Sequence, residues 1–385
     1  MGREEWRLDT KLVRAGEPDP AVEGSVSMPI FQSSTFEYSG DDPDQELRYI
    51  RLNNTPNHLA LHRKLAALEG GEAALVSSSG MATISTTLLT LLRPGDHLMV
   101  QRSLYGGTHQ LLTGVISKVG IVVDFIDEMD PDTWRDALHQ RTAMIMVESI
   151  SNPLVRVGRL RKAVEFARDH DLLSMVDNTF ASPVNFRPPE EGFDLSVHSC
   201  SKYLNGHSDL VAGAVIGKRD LVDRIGENLV DLGGCLDPHA CFLLHRGMKT
   251  LGLRMRRHNQ TALTLAEHLR SHTKVSSVHY PGLSDDPSYD NARELLDGCG
   301  GVLSFDPAGG PEHAARFLHE VRIPYVATSL GGVETLLSRP AVTSHSGLSP
   351  EERSDLGISD SLVRVSVGIE AAEDLLEDFD RALKA

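Results

Sequence analysis

Between residues 57 and 217 the chain repeats one pattern, a short apolar run followed by a longer stretch of helical character. The runs are His97-Leu98-Met99-Val100, Ile121-Val122-Val123-Asp124-Phe125, Ala143-Met144-Ile145-Met146-Val147, Leu172-Leu173-Ser174-Met175-Val176, Leu195-Ser196-Val197 and Ala212-Gly213-Ala214-Val215-Ile216. They are nearly continuous in apolar character, which predicts strands covered on both faces. Strands alternating with helices predict a mostly parallel sheet. Ligands of such sheets gather at the carboxyl ends of the strands. Glu148, Asp177 and Lys202 all lie at or just past such ends. From about 238 to 271 the pattern turns helical and long. Beyond it, Val275–Tyr280, Val302–Phe305 and Leu362–Val367 read as strands of a smaller α+β domain, closed by a helix from about Glu370 to Lys384. In the last strand Val363, Val365 and Val367 share one face, and Arg364 shares the other with Ser366.

Residues 1 to about 50 are polar, and Pro18, Pro20, Pro29 and Pro43 limit regular structure there. Met28-Pro29-Ile30-Phe31 and Phe36-Glu37-Tyr38 are too apolar for a free tail and predict an arm packed on a partner subunit. The expected division is an arm over 1–56, a large domain over 57–245 and a small domain over 246–385.

Composition narrows the function classes. The chain has 385 residues, 40% hydrophobic and 24% charged, as in soluble globular proteins. A net charge of −16 argues against nucleic acid or an anionic membrane as partner. The start, Met1-Gly2-Arg3-Glu4-Glu5-Trp6, lacks an apolar signal core, so a cytoplasmic location is expected. The four cysteines form no C-x-x-C pair, and the 17 histidines show no H-E-x-x-H spacing, so no metal site is expected from spacing.

Two segments carry chemistry. Lys202 lies in His198-Ser199-Cys200-Ser201-Lys202-Tyr203, 25 residues after Asp177 in Val176-Asp177-Asn178-Thr179. A lysine amine and a strand-end carboxylate are the groups pyridoxal phosphate most needs. The amine forms a Schiff base with the cofactor aldehyde, and the carboxylate keeps the pyridine nitrogen protonated. Alone, Lys202 reads as a solvated lysine, but Ser199 and Ser201 flank it with hydroxyls suited to phosphate. The second segment, Leu75-Val76-Ser77-Ser78-Ser79-Gly80-Met81-Ala82-Thr83, predicts a strand entering a helix stopped by Arg93-Pro94-Gly95-Asp96. Small residues at such a turn admit an anion to the helix N-terminus. The same residues also describe a serine-rich turn with a capped helix.

These segments recur with others in a fixed order: Ser79-Gly80-Met81-Ala82, Tyr105-Gly106-Gly107-Thr108, Glu148-Ser149-Ile150-Ser151-Asn152-Pro153, Val176-Asp177-Asn178-Thr179-Phe180 and Ser199-Cys200-Ser201-Lys202-Tyr203. Arg246-Gly247-Met248-Lys249, Ser329-Leu330-Gly331-Gly332 and Arg364-Val365-Ser366-Val367-Gly368 continue the set. Together they resemble the pyridoxal-phosphate-dependent transsulfuration enzymes of Cys/Met metabolism, in the cystathionine γ-lyase and γ-synthase branch. The resemblance implies an aspartate-aminotransferase-like α/β fold (fold type I), with a mostly parallel seven-stranded sheet in the cofactor-binding domain. It implies a homotetramer, a dimer of dimers with shared active sites, acting on a small amino acid.

The resemblance also assigns roles. Lys202 is the Schiff-base lysine and proton shuttle, and Asp177 the pyridinium partner. Tyr105 stacks on the ring and assists the leaving group. Asn152 contacts the phenolic oxygen and the substrate. Gly80, Met81, Ser199 and Ser201 hold the phosphate, with Tyr49 and Arg51 reaching the neighbouring subunit's phosphate. Arg364, Ser329 and Glu334 bind the substrate, and Arg48 and Gln110 line its distal pocket. Serine replaces the family's usual threonine at 201, and Asn54-Thr55-Pro56 reverses its usual Pro-Thr order. Leu330 replaces the tryptophan of β-lyases, and Gly107 the cysteine of methionine γ-lyases.

The implied reaction is γ-elimination or γ-replacement, first of all cystathionine to cysteine, 2-oxobutanoate and ammonia. γ-Synthase or O-acylhomoserine sulfhydrylase chemistry is the alternative, and methionine γ-lyase chemistry comes after it. Arg48 stands where an acidic residue is usual and Gln110 where an arginine is, which opens the pocket to an anionic leaving group. Outside the family, a dehydrogenase would need a glycine fingerprint that is missing. A non-enzymatic relative would have lost Lys202 or Asp177.

Overall fold

The structure, a computed structural model, describes residues 6–38, 40 and 47–385. The expectations at Met1–Glu5 and Pro43 lie outside the described residues. The architecture is mixed α/β. A seven-stranded sheet has the order β1-β7-β6-β5-β4-β2-β3, and a five-stranded sheet the order β10-β11-β12-β9-β8. The strands are β1 Ala73–Ser77, β2 His97–Gln101, β3 Val122–Ile126, β4 Thr142–Glu148, β5 Leu173–Asp177, β6 Leu195–Ser199, β7 Gly213–Gly217, β8 Val275–His279, β9 Val302–Pro307, β10 Tyr325–Val326, β11 Leu336–Ser338 and β12 Val363–Ser366. Among the described residues, no helix is long and apolar enough to cross a membrane. The chain forms two compact units, Met1–Arg93 with Arg187–Gly252, and Pro94–Phe186 with Leu253–Ala385.

In the first unit β7 runs antiparallel to both β1 and β6. Val76, Val197 and Val215 at their centres are at most 1% exposed. The helix Pro56–Glu69 packs on this sheet through Leu61, Leu65 and Leu68. Proline opens it at the first helical position, where a missing N–H costs nothing, and left-handed Gly70 ends it. A short helix, Leu8–Arg14, precedes it, where sequence predicted little regular structure. Only Leu12 of that helix is buried, too weak an apolar stripe to stand out in sequence.

In the second unit β2, β3, β4 and β5 pair in parallel. The smaller sheet packs on the helices Pro311–Glu320 and Ala372–Lys384 and on most of Leu251–Ser271. Phe305, Phe317 and Phe379 meet at its centre with ring centroids 5.2–6.3 Å apart. Val363, Val365 and Val367 are fully buried in that core, as their alternation predicts. The long helix expected over 238–271 is two helices, Pro238–Met248 and Leu251–Ser271. β10 and β11, of two and three residues, carry too little periodicity to be read from sequence.

Candidate active site

The residues proposed from sequence fall into two sets, one in each unit. In the first, β1 leads through Ser78 and Ser79 into the helix Gly80–Leu91. The Ser79 hydroxyl accepts the Ala82 N–H at 3.0 Å, and the Ser79 carbonyl accepts that of Thr83. The N–H groups of Gly80 and Met81 remain at the helix end, where they and the helix dipole suit an anion. A Cβ on Gly80 would lie 2.9 Å from Cβ of Ser199, so only glycine lets the helix end approach the end of β6. One on Gly213 would lie 2.2 Å from the Ser79 carbonyl oxygen. These bare contacts leave a turn of exposed backbone at the helix end, a shape that suits an anion.

β6 ends at Ser199, and the chain turns at once, the Lys202 N–H bonding to the Ser199 carbonyl at 3.2 Å. Lys202 is half-buried between buried Cys200 and Tyr203. The Ser201 hydroxyl accepts the Ala212 N–H at 3.0 Å, tying the lysine loop to the strand that follows. Behind β6, His198 Nε2 lies 2.5 Å from Glu69 Oε1, both side chains 1% exposed. Glu69 ends the helix Pro56–Glu69, and nothing in its sequence context marks it as a partner of the lysine strand.

The segment with Tyr49 and Arg51 belongs to the same unit. The Arg51 guanidinium lies 5.7 Å from the Tyr49 ring centroid and donates to the Val230 carbonyl. Asn53 is buried in the left-handed region at φ 58, where asparagine is tolerated, and donates to the carbonyl of Val76 in β1 at 2.6 Å. The Thr55 hydroxyl meets Nδ1 of His58 at 2.7 Å, and Pro56 takes the first helical position. The reversed Thr-Pro order thus builds a regular helix entry. Arg48 is exposed.

In the second unit Glu148 and Asp177 are register partners at the ends of β4 and β5. Asp177 Oδ1 accepts both the N–H and the hydroxyl of Thr179, at 3.0 and 2.5 Å. Glu148 is buried. Burial first, and the Asp177 carboxylate second, push its pKa well above the usual carboxylate range. Its Oε1 accepts the Tyr105 N–H at 2.7 Å, fixing the start of the Tyr105 turn. Gln101, at the end of β2, accepts the Glu148 N–H at 2.6 Å. The Tyr105 ring lies over Gly107, where a Cβ would come within 2.5 Å of it.

Arg364 is 6% exposed, on the face of β12 opposite the valines. It donates to Asn152 Oδ1 at 3.0 Å and to the Ser329 carbonyl at 2.9 Å. Ser329 holds φ 84, a strained left-handed conformation, and the Ser366 hydroxyl accepts the Gly331 N–H two residues on. The Ser304 hydroxyl donates to the Pro153 carbonyl at 2.7 Å. Asn152, Ser329 and Arg364 are therefore brought together. His345, missed in sequence, is buried, and burial first, then Arg364, bring its pKa to about 4. A Cβ on Gly347 would lie 2.6 Å from Gln110 Nε2, so Gln110 rests on the loop after His345. Glu334 is half-buried beside Thr335, whose N–H and hydroxyl bond to Glu370.

Comparisons with known proteins agree on the kind of chain this is. The sequence profile of the family described as Cys/Met metabolism PLP-dependent enzyme matches residues 9–384. A cystathionine β-lyase of Lactococcus lactis subsp. cremoris (strain MG1363) is 39% identical, over 98% of this chain and 99% of its own. An L-methionine γ-lyase of Pseudomonas putida is 40% identical, over 98% and 97%. The crystal structure of cystathionine γ-lyase from Lactobacillus plantarum complexed with L-serine superposes with a TM-score of 0.94 at 35% identity, over 98% and 99%. The three relatives carry three different activities on one frame. A profile match along nearly the whole chain and relatives 39–40% identical over 98% of it place this protein in the Cys/Met metabolism family of pyridoxal-phosphate-dependent lyases and synthases.

Proposed function

We propose that this enzyme cleaves or replaces a substituent on the γ-carbon of a homoserine-derived amino acid, with cystathionine γ-lyase activity as its first reaction. The observation that carries the reading is Arg364, a buried guanidinium held by Asn152 and the Ser329 carbonyl. An arginine so placed binds a substrate carboxylate through its planar fork. Leu330 and Gly107, where β-lyases and methionine γ-lyases of the family carry tryptophan and cysteine, favour this branch. γ-Synthase or sulfhydrylase chemistry is the second reading, favoured by the residue types at Arg48 and Gln110.

Bound pyridoxal phosphate supplies an electron sink joined to the substrate's amino nitrogen. Asp177 keeps a proton on the pyridine nitrogen, its own orientation fixed by Thr179. Gly80, Met81, Ser199 and Ser201 hold the phosphate, with Tyr49 and Arg51 serving the neighbouring subunit. Asn152 orients the ring oxygen and Arg364. Lys202 Nζ, once released by the incoming amine, would take the α-proton, hand it on, and only then, neutral again, take a β-proton. The Tyr105 hydroxyl delivers a proton to the group leaving the γ-carbon. Burial first, then the Asp177 carboxylate, work against a negative charge on Glu148 beside Asp177. The arm over 1–56, a large domain over 57–245 and a small domain over 246–385 build a cytoplasmic homotetramer with shared sites.

The test is the keto acid released from cystathionine. γ-Cleavage yields 2-oxobutanoate with cysteine, and β-cleavage yields pyruvate with homocysteine. We expect 2-oxobutanoate, and pyruvate as the main product would overturn the reading. Faster turnover of O-succinylhomoserine than of cystathionine selects the γ-replacement alternative.

A further inference from the structure

His97, Asp124 and His139 meet at the amino-terminal end of the parallel strands. His97 opens β2, Asp124 lies in β3, and His139 sits in the loop before β4. Nε2 of His97 lies 3.4 Å and Nε2 of His139 3.2 Å from the same oxygen, Oδ2 of Asp124. The imidazoles stack with centroids 3.9 Å apart. His97 is 1% exposed, while His139 and Asp124 are 47% and 44% exposed.

Thr142 holds the ring of His97 from its other nitrogen. The Thr142 hydroxyl lies within hydrogen-bond reach of the His139 carbonyl, at 2.9 Å. It accepts the His139 N–H at 2.8 Å and lies 2.7 Å from Nδ1 of His97. Thr142 therefore holds Nδ1 of His97 in either tautomer. Nε2 of His97 faces Oδ2 of Asp124 and, among the described residues, is buried without a hydrogen-bond partner. In the tautomer with its hydrogen on Nδ1, the ring turns a lone pair toward that carboxylate oxygen, and the two repel unless a cation lies between them.

We propose that His97, Asp124 and His139 form a binding site for a divalent transition metal, zinc by preference. Two imidazoles and one carboxylate are a borderline-soft donor set that zinc accepts, with water in the fourth position. Thr142 plays the outer partner that fixes the ring of a ligating histidine. The exposed ring of His139 closes the set by turning out of the stack. The metal would pin the loop before β4 to the starts of β2 and β3. The ligands are far apart in sequence, so local spacing gives no sign of the site. His97 and Gln101 are the two ends of β2, about 13 Å apart at strand rise. The site is thereby separate from the Glu148 and Asp177 cluster.

The holoenzyme, stripped with chelator, is titrated with zinc against a chromogenic competitor, beside Asp124→Asn, His139→Gln and the double variant. The wild type should hold one zinc per chain more than the double variant. Each single variant should bind it at least about 10-fold more weakly, since even an outer-shell loss costs that much. Zinc should raise Tm in the wild type alone. Both changed side chains are exposed, so folding is retained, and basal turnover should be unchanged. Equal uptake and equal Tm shifts in the wild type and the double variant would overturn the site and leave a shared proton as what lies between His97 and Asp124.

Discussion

Arg364 shows how far one side chain can be read from sequence. Its alternation with Val363, Val365 and Val367 fixed its face, and burial then required polar partners. Those partners, Asn152 Oδ1 and the Ser329 carbonyl, come from loops distant in sequence, and no periodicity announces them. Arg364→Lys keeps the charge but not the fork. We expect a loss of about 10- to 100-fold in kcat/KM, mostly through KM, the scale of a lost charged hydrogen bond. Unchanged kinetics would contradict carboxylate binding. Arg48 is exposed in the chain, so its effect should be smaller. Arg48→Glu should raise the kcat/KM ratio of cystathionine to O-succinylhomoserine by about 3- to 10-fold, within the range of a solvated ion pair. An unchanged ratio means Arg48 takes no part in substrate choice. Glu148 was legible only as a strand end. Its raised pKa and its hold on Tyr105 depend on β4 pairing with β5, a tertiary fact.

At the scale of elements, the turn from β1 into the helix Gly80–Leu91 was the more legible half of the site. Its strand, small residues and helix-stop signal are all local. What sequence could not show is that Gly80 must be bare because Ser199 lies against it. Gly80→Ala should push the helix end from β6 and weaken phosphate binding. After dialysis the variant should keep less of the bound cofactor's visible absorbance than the wild type, and full retention would count against that role. The parallel strands were legible because burial on both faces leaves apolar runs. β10 and β11 were not, since their two and three residues cannot display a period. The break between Pro238–Met248 and Leu251–Ser271 also escaped, because no proline or paired glycine marks Lys249 and Thr250.

For the whole molecule, the family and its cofactor were legible because the motifs are ordered along nearly the entire chain. The reaction was less so, since relatives of three activities share this frame at 35–40% identity. The shared-site proposal predicts complementation. Hybrids of Arg51→Ala and Lys202→Ala subunits should regain activity that neither parent has, and a fully active monomer by light scattering would contradict it. Stability should fall on acidification. His258 is buried, and burial first of all brings its pKa to about 4, against an ordinary 6.5. The unfolded chain then binds more protons between those values, so this contribution is full above about 6.5 and is lost as pH falls toward 4. The loss from pH 7 to 5 is about 1–2 kcal/mol for this one group. His258→Gln should flatten the fall of Tm across that range, and an unchanged slope would contradict the assignment. The most direct test of the whole account is attachment of the cofactor. Borohydride reduction of the purified enzyme, digestion and mass mapping should find the pyridoxyl group on Lys202 alone. A label on any other lysine, with Lys202 unmodified, would contradict it.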